Sequence, residues 1–224
     1  MRRLGLAAAA LILAASAAAA EEPRQRLMDI PLDMPLEEPL DGEFLEGIYQ
    51  EKLADVLRDS VLIESPIPHI ESKFTDHRAL QLWFSSAEDG RRIFWARLSQ
   101  NLEGKELRPQ DALANFEATF GKPDKTAEVK GELGSFWILL KLDPRLPEAR
   151  RATILKQLDA SFTPTPAQIA DFGLTDLRAR TRLLTPDFRG AVFFLTAFKG
   201  KVGSMQTDLI DMVRAQTVLN LTAP

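Results

Sequence analysis

The chain has 224 residues, of which 45% are hydrophobic and 27% are charged, and its formal net charge is −4. This composition is typical of a globular protein, and it excludes a disordered chain and a multi-span membrane protein. The absence of cysteine excludes thiol nucleophiles, disulfides and thiolate metal sites.

The N-terminus has the layout of a secretory signal peptide. Arg2 and Arg3 precede an apolar run over residues 4–15, and three alanines at positions 18–20 provide an A-x-A cleavage site. We therefore predict cleavage after residue 20 and export to the periplasm. An uncleaved anchor is the alternative, but the run is short and weakly apolar for a span of about 20 residues. No second apolar stretch approaches a membrane span, so none is expected once the leader is removed.

Cleavage would also change the charge balance. Loss of Arg2 and Arg3 leaves 26 basic against 32 acidic residues, a net charge of −6. Nucleic-acid binding depends on basic groups that neutralise phosphates. An acidic mature chain with dispersed arginines therefore predicts no nucleic-acid partner.

Residues 21–45 form an acidic, proline-rich lead-in with a period of two. From residue 28 to 41, six of the seven even positions are apolar, and every odd position is proline or acidic. An extended segment of this pattern presents one apolar face. We expect this face to be covered by an exposed apolar groove of the protein's own domain; the functional alternative is that it binds a protein partner in the envelope, and disorder is the third reading. The predicted partner-binding residues are Ile30, Leu32, Met34, Leu36 and Leu40.

Residues 46–224 are predicted to form one α+β domain with a largely antiparallel sheet packed by helices. An amphipathic period predicts a helix over residues 42–64, which Ser65 and Pro66 end. Two hairpins are predicted, one from residues 79–84 with 92–98 and one from 190–198 with 202–209. Residues 135–142, which are apolar at both even and odd positions, predict a central strand that is buried on both faces. Further helices are predicted from Pro109 and Pro147 and over 165–173, 176–184 and 211–219.

Catalytic signatures are absent from the sequence. It contains no G-x-S-x-G, no H-E-x-x-H, no Gly-rich phosphate loop and no EF-hand loop, so we predict no cofactor. His69 and His77, together with Glu71 and Asp76, are weak candidates for a metal site. Their spacing matches no metal motif, and we predict a solvated loop without metal. The tryptophans lie in predicted strands, which favours core packing over a sugar-stacking platform: Trp83, Trp95 and Trp137.

These observations favour an exported envelope protein that acts as a non-enzymatic binding or assembly module. Two alternatives remain open. One is a periplasmic hydrolase, and the other is a small-ligand-binding protein; either would use scattered acids or the region of His69 and His77.

Overall fold

The structure, a computed structural model, describes residues 25–28, 30–35, 61–63, 69–74, 76–102, 105–131, 134–164 and 183–219. Within these ranges the chain forms two β-sheets and three α-helices, which confirms the predicted α+β class and the antiparallel strands. No helix in these ranges is long and apolar enough to cross a membrane.

The strands and helices alternate in groups along the chain. The strands are β1 Arg26–Leu27, β2 Ile30–Pro31, β3 Val61–Ile63, β4 His69–Lys73, β5 Arg78–Phe84, β6 Ile93–Asn101, β7 Lys125–Gly131, β8 Gly134–Leu142, β9 Arg189–Phe198 and β10 Lys201–Asp211. The helices are α1 Pro109–Phe120, α2 Glu148–Ser161 and α3 Met212–Leu219, and a short 3-10 helix spans Ala87–Asp89.

The larger sheet consists of two antiparallel meanders joined side by side. Its eight strands have the order β3-β4-β5-β6-β10-β9-β8-β7. The first meander contains β3 to β6 and the second β7 to β10, and the two meet where β6 pairs with β10. We call this pair of strands the seam; in its register, Arg97 lies opposite Asp208. β1 and β2 form a separate two-stranded sheet.

Each face of the larger sheet carries its own apolar core. On the first face, α1 contacts β9 and β10, and its Ala112 and Phe116 are buried in the core there. On the second face, α2 and α3 cover the sheet through Ile154, Leu158 and Ala215. Because strand side chains alternate between faces, one strand serves both cores. In β9, for example, Phe193 belongs to the first core and Phe194 to the second.

Most predicted elements in the described ranges are confirmed. Both hairpins form, as β5–β6 and β9–β10, and β8 has strand neighbours on each side. Helices follow Pro109 and Pro147 as expected. The last helix begins one residue later than predicted, because Asp211 still pairs with Arg189 at the end of β10. The Asp211 carboxylate then accepts a hydrogen bond from the backbone N–H of Arg214 at 3.1 Å.

Three predictions about local structure are wrong. The segment predicted as a solvated loop contains strand β4, whose polar residues pair with β5. The helix predicted over 42–64 cannot continue to its end, because Val61–Ile63 is strand β3. Leu183 and Leu184, predicted as the end of a helix, lie in a turn. The remaining parts of those two helices, the helix over 165–173 and residues 1–20 lie outside the described residues.

The tryptophans, and the strands that are apolar at both even and odd positions, were expected to be buried, and they are so only in part. Trp83, Trp95, Ile138 and Leu140 are buried in the core. Phe136 and Trp137, in the N-terminal half of β8, are only partly buried. Core packing of β8 is therefore closest in its C-terminal half.

Candidate functional site

The apolar face of the lead-in packs into the protein's own first core. Leu27, Ile30 and Leu32 are buried there, and Met34 packs against it partly exposed. Leu36 and Leu40, the other predicted partner-binding residues, lie outside the described residues. Docking of an envelope partner at these positions stays a prediction, and at Ile30 and Leu32 it would require the lead-in to leave this core.

Hydrogen bonds hold the lead-in across one end of the sheet. The Gln25 side-chain nitrogen donates to the carbonyl oxygens of Lys141 and Leu142 at 3.2 and 3.3 Å. Further along, the Asp33 N–H donates to the Ile93 carbonyl oxygen, and the Ile93 N–H donates to the Met34 carbonyl oxygen, both at 2.9 Å. The segment therefore spans from the end of β8 to the start of β6. We call this end of the sheet the Arg189 end.

A cluster of charges fastens the lead-in at the Arg189 end. Arg189 Nε lies 3.0 Å from Asp143 Oδ2, and its Nη1 lies 2.8 Å from Asp211 Oδ2. The remaining guanidinium nitrogen of Arg189 pairs with Asp33 of the lead-in. Arg214 of α3 pairs with the other oxygen of Asp33. One lead-in carboxylate thus joins β9 and α3.

The cluster lowers the pKa of two carboxyl groups, those of Asp33 and Asp143. Burial raises the pKa of Asp33, but the hydrogen bonds and charges of Arg189 and Arg214 outweigh burial, so the pKa lies below its ordinary value. Burial likewise raises the pKa of Asp143, and hydrogen bonds from Arg145 and Arg189 reverse the effect and lower it. The ionised cluster therefore stabilises the folded protein.

We expect this stabilisation to disappear in acid. Because the pKa of folded Asp33 lies below its ordinary value of 3.8, the contribution is complete above that value and lost as the pH falls through the lower folded-state pKa. The free energy of unfolding, measured with urea from pH 7 down to pH 3, should therefore fall steeply at the acidic end. Asp33→Asn should lower stability at pH 7 and flatten the acidic decline.

Asp187→Asn is the matched control, because Asp187 forms an ion pair with Arg150 that is about half exposed on both sides. This variant should leave the pH profile unchanged. An Asp33→Asn profile that coincides with the wild-type profile would contradict a stabilising role for the cluster.

The two histidines are not brought together. His69 begins β4, and its ring stacks on Trp83 with 5.1 Å between the ring centroids. His77 is exposed in the turn between β4 and β5, with a φ of 66°. Among the residues that the structure describes, no three His, Asp or Glu side chains are grouped so that they could hold a metal ion. The absence of a metal in the functional protein stays a prediction.

A buried ion pair crosses the seam. Arg97 Nε lies 3.0 Å from Asp208 Oδ1, and the two side chains are only 2% and 3% exposed. The Arg97 guanidinium also lies over the rings of Trp83 and Trp95, at 5.0 and 5.6 Å from their centroids. These cation–π contacts add favourable interactions for a charge that is removed from water. The ion pair is therefore an integral part of the second core.

Gln206 connects this ion pair to a pocket at the opposite end of the sheet. Its side-chain nitrogen lies 3.0 and 3.1 Å from the two carboxylate oxygens of Asp208 and donates to them. Gln206 also lines the pocket. We call this end the His77 end, because His77 contributes to the pocket wall.

The pocket has a volume of about 530 Å³, within the range of roughly 300–1,000 Å³ typical of small-molecule sites. It forms where β6 and β9 end and β10 begins, so three adjacent strands build most of its wall. The lining combines hydroxyl, amide, imidazole and aromatic side chains, which include His77, Ser99, Thr196, Ser204, Gln206 and Phe198.

Several polar groups of the lining already hold one another in place. Thr196 Oγ1 lies 2.8 Å from Ser204 Oγ and accepts a hydrogen bond from the Ser204 N–H at 3.1 Å. The Ser99 hydroxyl donates to the Ala79 carbonyl oxygen at 3.4 Å. Side chains fixed by such contacts keep their orientation before a ligand arrives, which reduces the cost of binding.

Sequence reasoning missed this pocket because its residues come from strand ends far apart in the chain. Only His77 was among the candidate residues. Arg97 carried a usable signal, since it is a charged residue within a strongly apolar run, and such a residue requires a buried partner. The identity of that partner, 111 residues away, has no local signal.

Comparison with known proteins adds no assignment: no family model matches the chain, and neither the curated proteins nor the solved structures contain a significant match.

Proposed function

We propose that the protein is an exported, non-enzymatic binding module of the cell envelope that holds a small polar molecule in the pocket at the His77 end. The pocket itself is the observation that carries this proposal. It is of suitable size, it is open to solvent, and its polar groups, apart from that of His77 in the β4–β5 turn, come from paired strands. A site that is already formed by paired strands is characteristic of ligand binding.

The composition of the pocket favours binding over hydrolysis. His77 and two serines line it, but no carboxylate does so among the described residues. A serine hydrolase of the triad type needs an acid that orients its histidine, and a glycosidase needs two acids. Neither arrangement is present in this lining, so a non-catalytic role is the better proposal.

A pocket-filling substitution tests the proposed function. Asn101 is exposed and lines the pocket, so Asn101→Trp should place an indole in the space that a ligand would occupy. A library of small neutral, anionic, cationic and peptide compounds is screened against the mature protein by saturation-transfer NMR. At least one chemical class should bind to the wild type and lose detectable binding in Asn101→Trp.

Glu128→Trp provides the matched control, because Glu128 is also an exposed strand residue but lies on β7, away from the pocket. This variant should bind the same compounds as the wild type. Absence of binding in every class, or equal binding to Asn101→Trp and the wild type, would overturn the proposed function.

Export has a direct test of its own. We expect the mature protein recovered from the periplasmic fraction to begin at Glu21, because the A-x-A site ends at Ala20. N-terminal sequencing and intact mass measurement check this result. An intact mass that retains residues 1–20 would show that the apolar run stays attached as an anchor.

A further inference from the structure

From the chemistry of its lining, we infer that the pocket at the His77 end binds a neutral, hydroxyl-rich ligand of the saccharide class. This inference rests on the proposed function, and it specifies the ligand that the same site accepts. Three properties of the lining carry it: its lack of fixed charge, its hydrogen-bond acceptors and its aromatic rings.

The lining carries no fixed charge that would select an ion. Among the described residues, no Lys, Arg, Asp or Glu side chain lines the pocket. The nearest connected carboxylate is that of Asp208, and it is already bound by Arg97 and Gln206. A charged ligand would lose its hydration without gaining an opposite charge, which is costly. The pocket therefore favours a neutral molecule.

Two polar groups of the lining are left with acceptor atoms for a ligand. The Gln206 side-chain nitrogen is committed to Asp208, so its carbonyl oxygen is the group left to bind a ligand. The Ser99 hydroxyl donates its hydrogen to a backbone carbonyl, which leaves its oxygen lone pairs free to accept. A neutral ligand that carries hydroxyl groups can donate a hydrogen bond to each of these two oxygens.

Two phenylalanines supply apolar surface beside these acceptors. Phe194 is buried within the wall, whereas Phe198 at the β9–β10 turn is 55% exposed. Lys199 Nζ lies 5.2 Å from the centroid of the Phe198 ring, and this cation–π contact helps to position the ring. Sugar rings present C–H faces between their hydroxyl groups. A lining of acceptors and aromatic rings is complementary to both kinds of surface.

The test is an NMR titration of the ¹⁵N-labelled mature protein with a defined panel. The neutral probes are glucose, N-acetylglucosamine and maltose; the charged probes are glucuronate and glucosamine; trialanine represents peptides. We expect at least one neutral probe to cause saturable shifts in the amide resonances of Ser99, Ser204 and Gln206. No charged probe or peptide should bind as tightly.

Two variants and one control accompany the titration. Phe198→Ala should raise the dissociation constant about tenfold through loss of the aromatic surface, and Ser99→Ala should raise it severalfold through loss of an acceptor. Val213→Ala is the control, since Val213 is the other exposed large apolar residue in the part of the chain that the structure describes, at 45% exposure, and does not line this pocket. It should leave binding unchanged.

Each other outcome is also decisive. Tighter binding of glucuronate, glucosamine or trialanine in the pocket would overturn the saccharide class while supporting the proposed function. Failure of all neutral probes to shift the pocket resonances would overturn the saccharide class as well. Whether the pocket then binds any small molecule is decided separately by the Asn101→Trp screen.

Discussion

Asp208→Asn should lower the free energy of unfolding by about 3–5 kcal/mol, because it leaves the Arg97 guanidinium buried without a counter-charge. The substitution keeps the shape of the side chain, so the effect reports mainly on charge. Arg97 is almost fully buried at the seam and cannot reach water to recover hydration. Urea denaturation at pH 7 gives the measurement.

The exposed pair of Lys201 and Glu106 provides a matched control. Both of its side chains are largely in solvent, and exposed ion pairs contribute about 0–1 kcal/mol. Glu106→Gln should therefore change stability very little. Replacing both members of the buried pair by apolar residues, as in Arg97→Met with Asp208→Leu, should cost less than Asp208→Asn alone. A loss below about 1 kcal/mol for Asp208→Asn would contradict this account.

Deletion of residues 21–35 should destabilise the domain strongly, because it exposes the part of the first core that the lead-in covers. Leu27, Ile30 and Leu32 are all buried there, and each contributes roughly 1.5–3 kcal/mol when fully buried. The deletion also removes Asp33 from Arg189 and Arg214. We expect a large fall in the melting temperature, measured by circular dichroism.

A point substitution separates packing from the other effects of the deletion. Ile30 is completely buried, so Ile30→Ala should cost about 2–5 kcal/mol. Val213→Ala, at an exposed apolar position, should cost far less. Unchanged stability after deletion, combined with loss of an envelope partner, would instead show that the lead-in serves as a docking segment.

The central strands could be predicted from the sequence because their environment is local and uniform. Residues 135–142 and 190–198 are apolar at both even and odd positions. Each forms a strand that has a neighbour on both sides and packs on both faces of the sheet. The helices that follow Pro109 and Pro147 carry equally local signals. These elements depend little on distant parts of the chain.

The outer strands were harder to predict for a physical reason. β7 contains Lys125, Glu128 and Lys130, and it forms the end of the sheet order within the described residues. Charged residues are common on such strands because they discourage unwanted pairing, so their apolar pattern is weak. β4 likewise has few apolar residues, although its backbone pairs with that of β5 over its full length.

The candidate site could not be predicted because it depends on register. Ser99 lies opposite Gln206 only when β6 and β10 pair as they do, and Thr196 joins them from β9. Nothing in the local sequence around these residues distinguishes them from ordinary solvent-facing positions. The pocket emerges only from the pairing of strands that are distant in the chain.

The seam between the meanders has a consequence for how the protein folds. Within each meander the strands pair in chain order, whereas the ion pair of the seam closes a separation of 111 residues. Long loops cost more entropy to close, so we expect the meanders to form early and the seam to close last. A slip of one residue at closure would move Arg97 and Asp208 to opposite faces of the sheet. A misaligned seam would leave the charges of Arg97 and Asp208 unpaired, which is costly in the core. The ion pair therefore favours the strand register in which the pocket forms.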